Sequence, residues 1–320
     1  VSKLVQIEAE EETQTEETVK KEDNTEESTT PKITSSVRVI KAGEQDAQNT
    51  SEQAEDGESE ETETIEVEEV VVEIEPQNAG KSVFKEIKYY DGDKELTGLW
   101  LESACEKTAG GAPTIIIAPQ TKGPGQHEQD VADALSKNCY NSFSMDIFGE
   151  RKIIGDDKIR GIIDEYLKDT PEKGFSRLQA AINVAKEQTT TDPSKIAVIG
   201  YAMGGIIATN YALNGAQDIV GVVSFHPDTN YSVNNIQAGV NAAPILIHVG
   251  AEDSRMTEED LRNIEQKAGN AGIDLKTLSY EGANRSFTIE AARTLKHYYH
   301  PDSDRKSWYA TLEFLNKVFQ

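Results

Sequence analysis

Five short apolar runs, set apart by stretches of helical spacing, constrain this chain more than any other feature. The runs are residues 114–118 (TIIIA), 140–145 (YNSFSM), 195–200 (KIAVIG), 219–225 (IVGVVSF) and 244–249 (PILIHV). Among them, residues 126–137, 171–187, 203–214 and 257–271 repeat apolar side chains at spacings of three and four, which predicts helices. Strands alternating with helices imply a mostly parallel sheet covered on both faces, so strands of this kind are apolar throughout. Ahead of them, residues 84–90 and 95–102 flank Asp91-Gly92-Asp93, a turn suited to an antiparallel hairpin at the sheet edge. The predicted fold class is α/β. In such sheets chemistry sits beyond the carboxyl ends of the strands, here residues 119–125, 146–149, 200–205, 226–228, 250–255 and 280–287.

This pattern does not extend over the whole chain. All 21 aromatic residues (8 Phe, 11 Tyr, 2 Trp) lie at or after Phe84, and residues 1–80 hold 24 acidic against 6 basic side chains. A segment with no ring to bury and a large net charge cannot offset its ordering entropy. Residues 1–80 are therefore expected to be a largely disordered acidic extension, and residues 81–320 a single domain. Within the extension only residues 65–75 are Val-rich enough to form a strand, which could pair with an edge of the domain's own sheet or of a partner's.

Charge and composition also bound the function. A net charge of −25 disfavours nucleic acid and anionic membrane surfaces, and no apolar run is long enough for membrane insertion. The expected partner is a protein, bound by the acidic extension or the domain surface. Ser and Thr set among Glu would, if phosphorylated, hold Ca²⁺ on the extension. A start at Val1 rather than Met suggests an exported or organelle-targeted protein. Cys105 and Cys139 lack metal-site spacing and are too few for a disulfide scaffold, and Cys139 reads as a small core residue. No cofactor and no metal are expected.

The most informative segment is KIAVIG followed by Gly200-Tyr201-Ala202-Met203-Gly204-Gly205 and the helical IIATNYAL. Strand, tight turn and helix in this order match the context of the G-x-S-x-G nucleophile elbow. The middle position, where Ser or Cys would project at a helix start, holds Ala202, and a methyl group cannot attack a carbonyl. A dinucleotide cradle is disfavoured, because the spacing departs from G-x-G-x-x-G and no acidic residue follows about 20 positions on after a second strand.

Six segments in order carry a resemblance to a known family. They are DVADALSKNCYNSFSMDIFG (130–149), DPSKIAVIGYAMGG (192–205), GVVSFHP (221–227), PILIHVGAED (244–253), LSYEGANRSF (278–287) and SDRKSWYATLEFL (303–315). Over residues 83–320 the chain resembles the dienelactone hydrolases, a branch of the α/β-hydrolases. The resemblance implies the α/β-hydrolase fold and a Cys (or Ser), Asp and His triad. The nucleophile position falls on Ala202, the acid on Asp253 and the histidine on Arg285, through Tyr280, Gly282, Ala283 and Phe287. The family's accessory glutamate falls on Gln120, and its oxyanion-hole N–H groups on Met203 and Thr121. With nucleophile, base and accessory acid all changed, the expectation is a catalytically inactive domain in a binding or structural role. The alternatives are an ester or lactone hydrolase rebuilt around His226 or His248, and a small-carboxylate binder using Arg285 in the old pocket. Arg285 and Asp253 are further expected to form an ion pair.

Overall fold

The computed structural model describes residues 82–106, 109–295 and 299–320, together with Ser36–Val37 and Val70–Val71. The chain divides into two units, Val1–Gly80 and Lys81–Gln320. In the first, β1 (Ser36–Val37) pairs antiparallel with β2 (Val70–Val71). The possible strand at 65–75 thus meets a segment of its own unit at Val70 and Val71, and its other residues lie outside the described ones, as does the Ca²⁺ site expected on the extension.

In the second unit β3 (Lys85–Asp91) and β4 (Lys94–Leu101) form the expected hairpin around the Asp-Gly turn, with Gly92 at φ 58°. Then follow β5 (Ala112–Ala118), α1 (Gln126–Lys137), β6 (Asn141–Ser144), α2 (Ile159–Asp164), α3 (Pro171–Lys186), β7 (Thr191–Tyr201) and α4 (Met203–Leu213). The chain continues through β8 (Gly221–Phe225), β9 (Ile245–Gly250), α5 (Glu258–Ala271), β10 (Leu275–Tyr280) and α6 (Pro301–Val318). The strands make one eight-stranded sheet in the order β10-β9-β8-β7-β5-β6-β4-β3, in which only β4 runs against the others, so the β6–β4 and β4–β3 pairings are antiparallel and the rest parallel.

Alternation within each strand divides the core between the two faces. Ile116, Val198, Val222 and Ile247 bury against one set of helices, and Ile115, Ile117, Ile199, Val223 and Leu246 against the other. Side chains successive along a strand point to opposite faces, so only strands apolar at every position can serve both. The helix ends follow local chemistry. Thr257 and Asp260 form a capping box at the start of α5, and Gly272 ends that helix at φ 77°. Pro171 occupies the first turn of α3. Among the described residues no helix is long and apolar enough to cross a membrane.

One reading of the sequence is corrected here. Cys139 is exposed, takes a left-handed φ of 69° just past the end of α1, and is joined in a disulfide to Cys105 in the segment after β4. The turn that ends α1 carries it outward, beyond the apolar stripe whose spacing it continues.

Candidate functional site

The turn between β7 and α4 is built by close backbone approach. A Cβ on Gly200 would lie 2.5 Å from the Gly204 carbonyl oxygen, one on Gly204 2.4 Å from that of Ala118, and one on Gly205 2.3 Å from Ser224 Oγ. At Gly200 and Gly204 the obstacle is backbone and no side chain fits, so strand, helix and the loop after β5 lock together, while at Gly205 it is the Ser224 hydroxyl that would have to turn away. Ala202 sits at the apex at φ 48° and ψ −111°, held by its N–H to the Phe225 carbonyl at 2.9 Å and by the Ile206 N–H to its own carbonyl at 3.1 Å. This is a strained backbone for a residue with a Cβ. Met203 begins α4, and Thr121 lies half-buried in the loop after β5. The two elements expected to supply oxyanion-hole N–H groups are thus packed together through Gly204.

Parallel register brings the other expected positions to the same edge. Tyr201 pairs with Phe225, Phe225 with His248, and Gly250 with Tyr280, so the residues after β7, β8, β9 and β10 emerge side by side. The last two loops are stitched by Glu252 N–H to the Ala283 carbonyl at 2.9 Å. Across this seam Arg285 Nη1 lies 3.1 Å from Asp253 Oδ2, the pair expected from sequence. Asp253's side chain is wholly buried and Arg285's is 16% exposed. The second carboxylate oxygen accepts the Arg255 N–H at 3.0 Å. Burial draws Arg285 below its ordinary value while Asp253 holds the cation in place, and a guanidinium starts high enough to stay protonated at neutral pH.

The two strand-end histidines differ. His248 is fully satisfied: the Thr311 hydroxyl donates to the Ser307 carbonyl, so it accepts from Nε2–H at 3.0 Å, and the Tyr280 hydroxyl donates to Nδ1 at 2.8 Å. Burial pushes its pKa down to about 3, and it serves as a core bracket. His226, at φ 39°, has Nε2 3.4 Å from Thr288 Oγ1 and a buried Nδ1 with no partner among the described residues. Burial and the Arg285 charge hold it far below its ordinary value, so it is a neutral imidazole.

Sequence reasoning missed two residues of this region. Glu128 is fully buried, accepting the Gly125 N–H at 2.7 Å and the Gln120 N–H at 3.4 Å. The carboxylate beside the loop after β5 is therefore Glu128, reaching Gln120 through its backbone. Its signal was its place three residues beyond Gly125, the N-cap of α1, in capping-box spacing. Next to it His127 packs edge-on against Tyr201 at 4.4 Å, its buried Nε2 unpartnered, and burial lowers its pKa. Among the described residues no group of three or more His, Cys, Asp or Glu side chains is arranged to hold a metal ion.

Comparison with known proteins agrees with this geometry. The sequence matches the profile described as the dienelactone hydrolase family over residues 103–319. It is 20% identical over 210 residues to Protein usf of Aquifex pyrophilus, covering 65% of this chain and 89% of that one. It is also 20% identical over 217 residues to a putative carboxymethylenebutenolidase of Aquifex aeolicus, covering 66% and 90%. Among solved structures, a dienelactone hydrolase-like promiscuous phosphotriesterase from metagenomic libraries superposes with a TM-score of 0.66 at 22% identity, over 75% of this chain and all of that one. A putative dienelactone hydrolase from Klebsiella pneumoniae gives 0.61 at 15% identity, over 74% and 99%. At these identities the structural likeness speaks to the fold.

Proposed function

The chain belongs to the dienelactone hydrolase family, and from that premise we propose that its domain no longer catalyses hydrolysis and serves a binding or structural role. The observation that carries this reading is the Arg285–Asp253 pair at 3.1 Å, which ties up both the acid and the base positions of the family's triad. Ala202 at the apex offers no nucleophile, and losing that group alone costs a serine hydrolase about 10⁶ in kcat. A guanidinium bonded to a buried carboxylate cannot accept a proton at neutral pH. The same pairing argues against a small-carboxylate site, because Arg285's charge already faces Asp253. The acidic extension, with 24 acidic against 6 basic residues, suits a basic protein partner.

One observation favours a rival. Thr288 Oγ1 lies 3.4 Å from His226 Nε2, a hydroxyl beside an imidazole. Yet the opposite nitrogen, Nδ1, meets no carboxylate among the described residues, and burial of the ring weakens it as a base. Incubation of the full chain with a fluorophosphonate, followed by intact-mass analysis, separates the two. The silent reading expects no adduct; a stoichiometric adduct mapped to Thr288 would establish the rebuilt hydrolase instead.

A further inference from the structure

Between β6 and α3 the chain carries more aliphatic side chains than the fold uses. Residues 153–167 hold Ile153, Ile154, Ile159, Ile162, Ile163 and Leu167. Ile162 and Leu167 pack against the core, whereas Ile153, Ile154, Ile159 and Ile163 join neither side of it, and Ile153 is 61% exposed. No residue of α2 is buried. So short a helix is weak without packing on its apolar side, because nucleation costs more than its few hydrogen bonds return. Gly161 in its middle weakens it further, glycine being the poorest helix former after proline. Yet a Cβ at 161 would meet nothing within 4 Å, and the residue is not among those of positive φ, so the fold itself has no need of glycine there. A glycine on an exposed helix face lets a second backbone come close.

The order of charges says which backbone that is. Lys158 and Arg160 stand at the start of α2, and Asp164 and Glu165 at its end. A helix basic at one end and acidic at the other complements itself when two copies run antiparallel. With a two-fold axis at Gly161, the glycines of the two copies face each other and Ile159 of each copy meets Ile163 of the second, since both lie two residues from the axis. Lys158 and Arg160 of each copy then come beside Asp164 of the second. Within one copy Arg160 Nε lies 3.6 Å from Asp164 Oδ2, and Lys168 Nζ 2.7 Å from its Oδ1. Those pairs are solvent-facing and worth little, and a carboxylate has lone pairs left for a further cation.

We propose that α2 is a self-association surface, through which two copies of this chain pair as antiparallel helices about a two-fold axis at Gly161. The surface stands apart from the elbow and serves whether or not the elbow is silent. The patch is small beside a standard interface of about 1,600 Å², so the dimer is weak. A net charge of −25 on each copy also opposes it, so the ionic strength must be high enough to screen that repulsion.

The test is sedimentation velocity on the full chain in about 0.15 M salt, at concentrations from about 5 to about 300 μM. We expect a concentration-dependent monomer–dimer equilibrium with a Kd of about 50–100 μM. Arg160→Glu and Asp164→Arg should each weaken it about tenfold or more, and an equimolar mixture of the two variants should recover the dimer, since each offers the charge the other now lacks. Neither variant regains the pair inside its own helix on mixing, so recovery reads contact between copies. Gly161→Leu should abolish the dimer while the thermal midpoint falls no lower, because the new side chain meets nothing in the fold. A chain that stays monomeric at about 300 μM would overturn the proposal and leave this face to a different protein. A dimer untouched by Gly161→Leu, or one that the mixed charge variants fail to restore, would overturn it as well.

Discussion

At Ala202 the backbone adopts φ 48° and ψ −111°, which a residue with a Cβ reaches only at a cost of about 1–3 kcal/mol. In an elbow that strain presents a nucleophile, whereas here it presents a methyl group. Ala202→Gly should therefore stabilise the domain by about 1 kcal/mol, the relief of strain exceeding the extra entropy glycine gives the unfolded chain. A urea unfolding midpoint that falls in this variant would show the conformation to be unstrained. Arg285→Ala should act in the opposite direction and more strongly. It leaves the Asp253 carboxylate, whose side chain is wholly buried, without its cation, a loss of about 2–4 kcal/mol. Adding Asp253→Asn to that variant should recover part of the loss, and a double-mutant cycle in urea measures the coupling. The pair was legible because Tyr280, Gly282, Ala283 and Phe287 fix the position of Arg285 and the loop after β9 fixes that of Asp253. His127 was not, since nothing in helical spacing reveals which polar residue of a first turn will face inward, and for Glu128 the capping-box spacing points to the helix start but not to its burial beside Gln120.

Among the elements, α1, α3 and α5 follow directly from the period of their apolar residues, the central strands from short runs apolar at every position, and the hairpin from Asp91-Gly92-Asp93, whereas α4, buried on every side, is marked by its place after the Gly200–Gly205 turn rather than by a period. The five-residue π turn Glu165–Asp169 after α2 carries no such signal, because its geometry serves Tyr166, whose hydroxyl donates to the Ile147 carbonyl at 2.9 Å. The Cys105–Cys139 disulfide was equally hidden. Two cysteines 34 positions apart say nothing about proximity until β4, α1 and β6 are assembled. By closing that loop the bond restricts the unfolded chain, so replacing both cysteines with serine should cost about 2–4 kcal/mol. Differential unfolding with and without reductant checks this, and identical midpoints would mean that the thiols remain unpaired in solution.

The whole molecule couples these sites to pH. His248 has its pKa pushed down to about 3 by burial, and His226 and His127 are also lowered, so each is neutral when folded but takes up a proton on unfolding below about 6.5. The stability they contribute is present above about 6.5 and lost as pH falls toward 3. Asp304 works in the reverse sense: burial raises it to about 6, so its contribution is present below about 4 and lost as pH rises through 6. Two of the three histidines are completely buried whereas Asp304 is partly solvated, so the histidines prevail. Unfolding midpoints should accordingly drop between pH 7.5 and 4.5, and His248→Gln should flatten that drop. All of this concerns a fold kept intact around a site proposed to be silent, and steady-state turnover tests that claim most directly. The full chain, purified to homogeneity and supplied with dienelactone and with p-nitrophenyl acetate, should hydrolyse both at the buffer rate, and Ala202→Cys alone should restore little because Arg285 cannot take up the thiol proton. Saturable turnover by the unaltered chain that disappears on replacing His226 or Thr288 would contradict the account.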